Sequence, residues 1–68
     1  MIEVGDKIKS TLFPEGSDYG VVWGKTTDCR TGGETVNVFW FRDGNVFARN
    51  YNINVKIVEQ FSVVIGHI

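Results

Sequence analysis

The strongest constraint on the fold is a β-hairpin that can be read directly in residues 36–47, Val-Asn-Val-Phe-Trp-Phe-Arg-Asp-Gly-Asn-Val-Phe. Two runs of β-branched and aromatic residues flank Asp43-Gly44, and an Asp-Gly pair supplies the positive φ angles that tight hairpin turns need. Arg42 directly before this pair favours a bulged three-residue turn over a two-residue turn. The hairpin therefore indicates a β fold and leaves the function open.

The rest of the chain continues the β pattern. Apolar residues alternate with polar ones, Gly, Asn and Asp interrupt them at short intervals, and almost no segment has helical periodicity. Strands are predicted at residues 6–13, 19–27, 34–41, 45–50 and 55–59, with a short turn, one turn of 3₁₀ helix at most, at 50–54. Gly20 and Gly24 predict sharp bending of the second strand or close backbone approach. The sequence thus predicts an all-β fold of about five strands.

The chain has 68 residues, 43% of them hydrophobic and 13% aromatic, which is enough for one domain and too apolar for a disordered chain. We expect a single domain over residues 1–68, with its core at about 4–59 and an apolar β extension at 60–68. Such a small domain buries only about 60% of the surface of its unfolded chain, which favours an extra source of stability such as self-association.

The C-terminal segment is unusual for a tail. Phe61-Ser62-Val63-Val64-Ile65 is apolar, β-prone and free of charge and proline. Left exposed, such a segment promotes aggregation, so it must be covered within the chain or between chains. We expect Phe61, Val63 and Ile65 to contact a neighbouring copy, which predicts a homo-oligomer. Coverage of the chain's own aromatic face by this segment is the alternative.

Aromatic residues suggest a second interaction surface. Alternation along the third strand places Val36, Val38 and Trp40 on one face, which we expect to be the core, with Trp40 buried. The opposite face then carries a contiguous set that predicts an interface: Trp23, Phe39, Phe41 and Phe47. Two alternatives remain open, an aromatic cage for methylated lysine with Asp43, and completion of the core by the C-terminal segment.

Catalytic and metal sites are not indicated. Cys29 and His67 are the only cysteine and histidine, whereas a nucleophilic pair or a zinc site needs such groups clustered. We expect no enzyme activity, no cofactor and no metal. The single cysteine favours a reducing compartment, and the sequence lacks a signal peptide pattern and an apolar run of membrane-spanning length. We therefore expect a cytoplasmic protein without membrane contact.

Several short patterns together resemble a known class of proteins. Val4-Gly5-Asp6-Lys7-Ile8, Tyr19-Gly20-Val21-Val22, the Val-x-Val-x-Trp-x-x-Asp-Gly pattern of residues 36–44, and Asn54-Val55-Lys56-Ile57-Val58 recur in this order. The chain thereby resembles the small SH3-like barrel proteins of tailed bacteriophages, within the wider class of Tudor-like, KOW-like and Sm-like small barrels. The resemblance covers about residues 4–59 and implies an SH3-like barrel.

The resemblance also implies a function. It implies a non-enzymatic protein-interaction or assembly module, phage-encoded, that acts in the host cytoplasm or in the virion. The alternative is a nucleic-acid-binding barrel of the KOW or Sm-like kind, in which Trp23, Phe39 and Tyr51 stack on bases while Lys25, Arg42 and Arg49 contact phosphates. The formal net charge of −1 and the dispersed basic residues argue against this alternative.

Overall fold

A computed structural model describes residues 2–11 and 14–68 of the chain. The elements in chain order are β1 (Asp6–Ser10), β2 (Tyr19–Thr27), β3 (Glu34–Arg42), β4 (Asn45–Asn54), α1 (Val55–Phe61) and β5 (Ser62–His67). The strands form one antiparallel sheet in the order β4-β3-β2-β1-β5. The predicted all-β, barrel-like fold of five strands is therefore confirmed. Leu12 and Phe13, predicted as the end of the first strand, lie outside the described residues.

The core lies on one face of the sheet and is closed by α1. Trp40 is only 1% exposed, as predicted, and its ring lies against Gly20, where an added Cβ would be 2.6 Å from Cε3 of the indole. The predicted close approach at Gly20 is thus observed, because the large indole needs the space that a side chain would occupy. The buried apolar residues are Ile2, Ile8, Val22, Val36, Val38, Trp40, Val55 and Val58.

The β3–β4 hairpin has a two-residue turn. Asp43 and Gly44 both have positive φ angles, 54° and 80°, and Arg42 pairs with Asn45 on either side of them. The predicted three-residue bulged turn is therefore wrong, because Asp tolerates the left-handed conformation that this turn demands. The register of the hairpin shifts further from the turn instead. Phe41 pairs with Val46 and Trp40 pairs with Ala48, which leaves Phe47 as the extra residue on β4.

The segment predicted as the fifth strand is the helix α1. Asn54 caps it, since its side-chain oxygen accepts a hydrogen bond of 2.8 Å from the backbone N–H of Lys56. Val55 and Val58 lie three residues apart on the face that packs into the core, which outweighs the β preference of their branched side chains. The predicted turn at 50–54 is also wrong, because β4 continues to Asn54.

The C-terminal segment is the true fifth strand. β5 pairs antiparallel with β1, with Lys9 opposite Val63 and Ile8 opposite Val64. The register shifts between the partners of Lys7 and Ile8, which leaves Ile65 as an extra residue on β5. β5 is thus part of the sheet of its own chain. Its edge that faces β1 is paired without a second copy.

Candidate functional site

The face of the sheet opposite the core carries an ordered set of rings and cations, which we call the outer aromatic face. Strand alternation directs its residues away from the core, because their neighbours along β2 and β3 are buried. Its members are Lys7 on β1, Tyr19 and Trp23 on β2, Phe39 and Phe41 on β3, and Arg49 and Tyr51 on β4.

One row of this face crosses β1, β2 and β3. The rings of Tyr19 and Phe41 are stacked, with centroids 5.0 Å apart and an interplanar angle of 11°. Nζ of Lys7 lies 4.5 Å from the centroid of Tyr19. Because β1 and β3 flank β2 on opposite sides, Lys7 and Phe41 cover opposite faces of the Tyr19 ring. Tyr19 therefore presents its edge to solvent.

A second row crosses β2, β3 and β4. Trp23 and Phe39 are stacked with centroids 4.9 Å apart, and the guanidinium carbon of Arg49 lies 5.7 Å from the Phe39 centroid. β2 and β4 flank β3, so Phe39 also has both faces covered. Tyr51 meets Trp23 edge to face at 6.0 Å. Stacked and edge-to-face ring pairs attract each other, and a cation over a ring face is attracted to that ring as well. These contacts stabilise the arrangement of side chains on the outer aromatic face.

The remaining predicted residues of the aromatic surface lie elsewhere. Phe47 packs against the core and is covered by Arg42, whose guanidinium carbon is 4.4 Å from the ring centroid. Phe61 is half-buried at the end of α1. Its carbonyl oxygen accepts hydrogen bonds from the backbone N–H and the hydroxyl of Thr11. Trp23, Phe39 and Phe41 are thus the predicted residues that the structure brings together, and Tyr19 and Lys7 complete the arrangement.

The basic residues of the nucleic-acid interpretation are separated. Arg49 lies on the outer aromatic face, whereas Lys25 is opposite the buried Val36 and forms an ion pair of 3.3 Å with Glu34. Arg42 is engaged with Phe47. Sequence reasoning missed the shift of β2 register between Val22 and Gly24, which turns Lys25 toward the other face.

The second candidate region is the outer side of β5. Val63, Val64 and Ile65 are 58%, 48% and 53% exposed. The N–H of Thr11 binds the carbonyl of Phe61, which makes these two residues a hydrogen-bonded pair. Pairs alternate in an antiparallel ladder, so the backbone groups of Val63 point toward β1. Ser62 is the C-cap residue of α1, and its N–H makes the last hydrogen bond of that helix. The carbonyl of Ser62 and both backbone groups of Val64 point away from β1. We call these outward groups, with the three exposed side chains, the open edge.

A buried carboxylate holds the C-terminal end of β5. Asp6 is 6% exposed, and its Oδ2 accepts a hydrogen bond of 2.8 Å from the backbone N–H of Glu3. Its Oδ1 accepts a bond of 2.8 Å from Nδ1 of His67. The hydrogen bond from His67 and, to a smaller extent, the bond from the Glu3 N–H hold the pKa of Asp6 below its ordinary value. The N–H of Ile68 adds a bond to the carbonyl of Gly5, so the end of the chain is fixed to β1.

Other chemistry has little support in the geometry. A groove of about 520 Å³ runs beside the start of α1 and is lined by two cations, Lys25 and Lys56, and two carboxylates, Glu34 and Glu59. Lys25 is paired with Glu34. Within residues 2–11 and 14–68, no three His, Cys, Asp or Glu side chains are grouped to hold a metal ion. In the same part of the chain, α1 is far too short to cross a membrane.

Comparison with known proteins adds no assignment to these observations. No known protein family matches the chain, and neither a curated protein nor a solved structure is similar to it. The outer aromatic face and the open edge are therefore the two candidate functional regions.

Proposed function

We propose that this protein is a non-enzymatic assembly module whose copies associate through the open edge of β5. The observation that carries the proposal is an end strand that is uncharged from Ser62 to Gly66 and exposes Val63, Val64 and Ile65. The resemblance of the chain to the small SH3-like barrel proteins of phages supports a further proposal. The protein is phage-encoded and works in the host cytoplasm or in the virion.

An exposed β edge is a template for another strand, because its outward N–H and C=O groups can pair with a second backbone. Natural proteins protect such edges with charges, prolines or irregular backbone, and the open edge carries none of the side-chain protections. Burying an exposed valine or isoleucine contributes about 1.5 to 3 kcal/mol. Two or three such residues from each copy, with added backbone hydrogen bonds, are sufficient to offset a substantial part of the cost of association.

The test is sedimentation of two variants at the same position. Val63→Glu places a carboxylate beside Lys9, its cross-strand neighbour, and therefore suits the single chain. In an assembly through β5 it adds charge to a buried contact, so we expect association to weaken by more than about tenfold. Val63→Thr keeps the branched shape and is the control. Wild-type protein that remains a monomer up to millimolar concentration would contradict the proposal.

Nucleic-acid binding is the alternative, and the charge distribution argues against it. Trp23 and Tyr51 are 41% and 60% exposed and offer ring surface for stacking, whereas Phe39 is covered by Trp23 and Arg49. The net charge is −1, and Lys25 and Arg42 are engaged by Glu34 and Phe47. The coverage of Phe39 disfavours an aromatic cage for methylated lysine. We expect labelled single-stranded oligonucleotides to bind only weakly in fluorescence anisotropy. A sub-micromolar dissociation constant at about 150 mM salt, with a steep salt dependence, would favour the alternative.

A further inference from the structure

We infer that the second copy joins by a two-fold antiparallel pairing of β5 with β5, centred on Val63. This inference rests on the proposed function and specifies its geometry. It states which edge the second copy occupies, in which direction its strand runs and which residues face each other.

The choice of β5 over β4 as the partner strand follows from the two ends of the sheet. β4 has two register shifts against β3, a positive φ of 55° at Asn52, and the cation Arg49. Irregular backbone and charge both hinder the addition of a strand. β5 has one irregularity, at Ile65, and is regular from Ser62 to Val64. A ring built by pairing β4 of one copy with β5 of the next would need the irregular edge in every contact.

The register follows from the outward backbone groups. The carbonyl of Ser62 and the N–H and C=O of Val64 point away from β1, whereas the N–H of Ser62 is used by α1. An added antiparallel strand forms its hydrogen bonds with these residues, and a two-fold arrangement pairs Ser62 of each copy with Val64 of the other. Val63 then faces Val63 across the axis. No charged residue lies between Ser62 and Gly66, so the pairing opposes no like charges.

The arrangement has a consequence for the outer aromatic face. The two-fold axis that relates antiparallel neighbours is perpendicular to the sheet, so both copies present the same face on the same side. The two outer aromatic faces become parts of one continuous surface. Any partner that contacts this surface at two points gains from the raised effective concentration of the second contact.

Cysteine cross-linking tests the register directly. In a Cys29→Ser background, which removes the exposed native thiol, Val63→Cys places two thiols in a non-hydrogen-bonded antiparallel pair. The Cα atoms of such a pair are about 4.5 Å apart, within the range that a disulfide spans. We expect mild oxidation to convert most of this variant into a disulfide-linked dimer.

Val64→Cys in the same background is the matched control. Its side chain is similarly exposed, but in the inferred register the two Val64 positions are offset by two residues on each strand. We expect its dimer to form at least about tenfold more slowly, because the Cα separation exceeds about 7 Å. Circular dichroism of both reduced variants checks that the fold is intact.

Each result has a distinct meaning. Faster cross-linking at Val64 than at Val63 would overturn the inferred register. Sedimentation as a dimer without cross-linking at either position would overturn pairing through β5 while leaving self-association intact. A wild-type protein that is monomeric at all concentrations would overturn the proposed function together with the inference.

Discussion

β4 and β5 are the two end strands of the sheet, and their outer sides are built differently. β4 is bent by two register shifts and carries Arg49, and its residues Phe47, Ala48 and Ile53 pack against the core. β5 is regular over Ser62–Val64, carries no charge there and leaves Val63, Val64 and Ile65 half exposed. β4 is thus protected against strand addition and packs against the core, whereas β5 lacks both features.

This difference bears on the proposed assembly. A domain of this size has few apolar residues beyond those its core requires, so three exposed aliphatic side chains on one strand are a large share. Under the proposal, copies join through β5 alone, so growth would end at a pair and would not continue into a fibre.

The largest expected effect concerns the attachment of β4 to the core. The indole Nε1 of Trp40 donates a hydrogen bond of 2.6 Å to Oδ1 of Asn50 on β4. Trp40→Ala should lower the free energy of unfolding by about 3 to 5 kcal/mol, since it leaves a large cavity and an unpaired amide. Urea denaturation measures this change. Trp23→Ala on the outer aromatic face is the control, and an equal loss there would contradict the assigned core face.

A smaller effect is expected at the turn that leads into β4. Gly44 has a φ of 80° and nothing within 4 Å of an added Cβ, so a side chain there is disfavoured by backbone conformation alone. Gly44→Val should reduce stability by more than about 1 kcal/mol, whereas Asp43→Asn should be mild, because Asn also adopts positive φ. Thermal unfolding monitored by circular dichroism distinguishes them. A neutral Gly44→Val would show that this turn does not hold β4.

The smallest effect concerns the attachment of β5 through Asp6 and His67. Because the pKa of Asp6 is lowered in the folded protein, its contribution is complete above the ordinary value of 3.8 and is lost as pH falls through the lowered pKa. Asp6→Asn should cost at most about 1 kcal/mol at pH 7, since the amide oxygen still accepts the bond from Glu3. Below pH 3.8 the variant should lose less stability with falling pH than the wild type, as urea titrations at several pH values would reveal.

The parts of the fold with alternating patterns could be predicted from sequence. The burial of Trp40 and the outward direction of Phe39 follow from strict alternation along β3 beside a clear turn. The bounds of β2 follow from the turn-forming residues before and after it. α1 was missed because Val55 and Val58 are β-branched, although Asn54 is a common helix cap and the spacing of three fits a helix.

The site was only partly predictable for a related reason. The register shifts in β2 and β4 depend on packing between strands that are distant in sequence, and they decide which ring stacks on which. The sequence indicates an aromatic surface, but it does not reveal that Lys7 and Arg49 cover the ring faces. The pairing of β5 with β1 is likewise a long-range contact without a local sequence signal.

The central claim is that the open edge of β5 is where copies join, and amide hydrogen exchange tests it most directly. The N–H of Val63 points toward β1 and should be protected at any protein concentration. The N–H of Val64 points outward and should be protected only when the protein is concentrated enough to pair. If the Val64 amide exchanges equally fast in dilute and concentrated samples while sedimentation shows association, the copies join elsewhere and the account is contradicted.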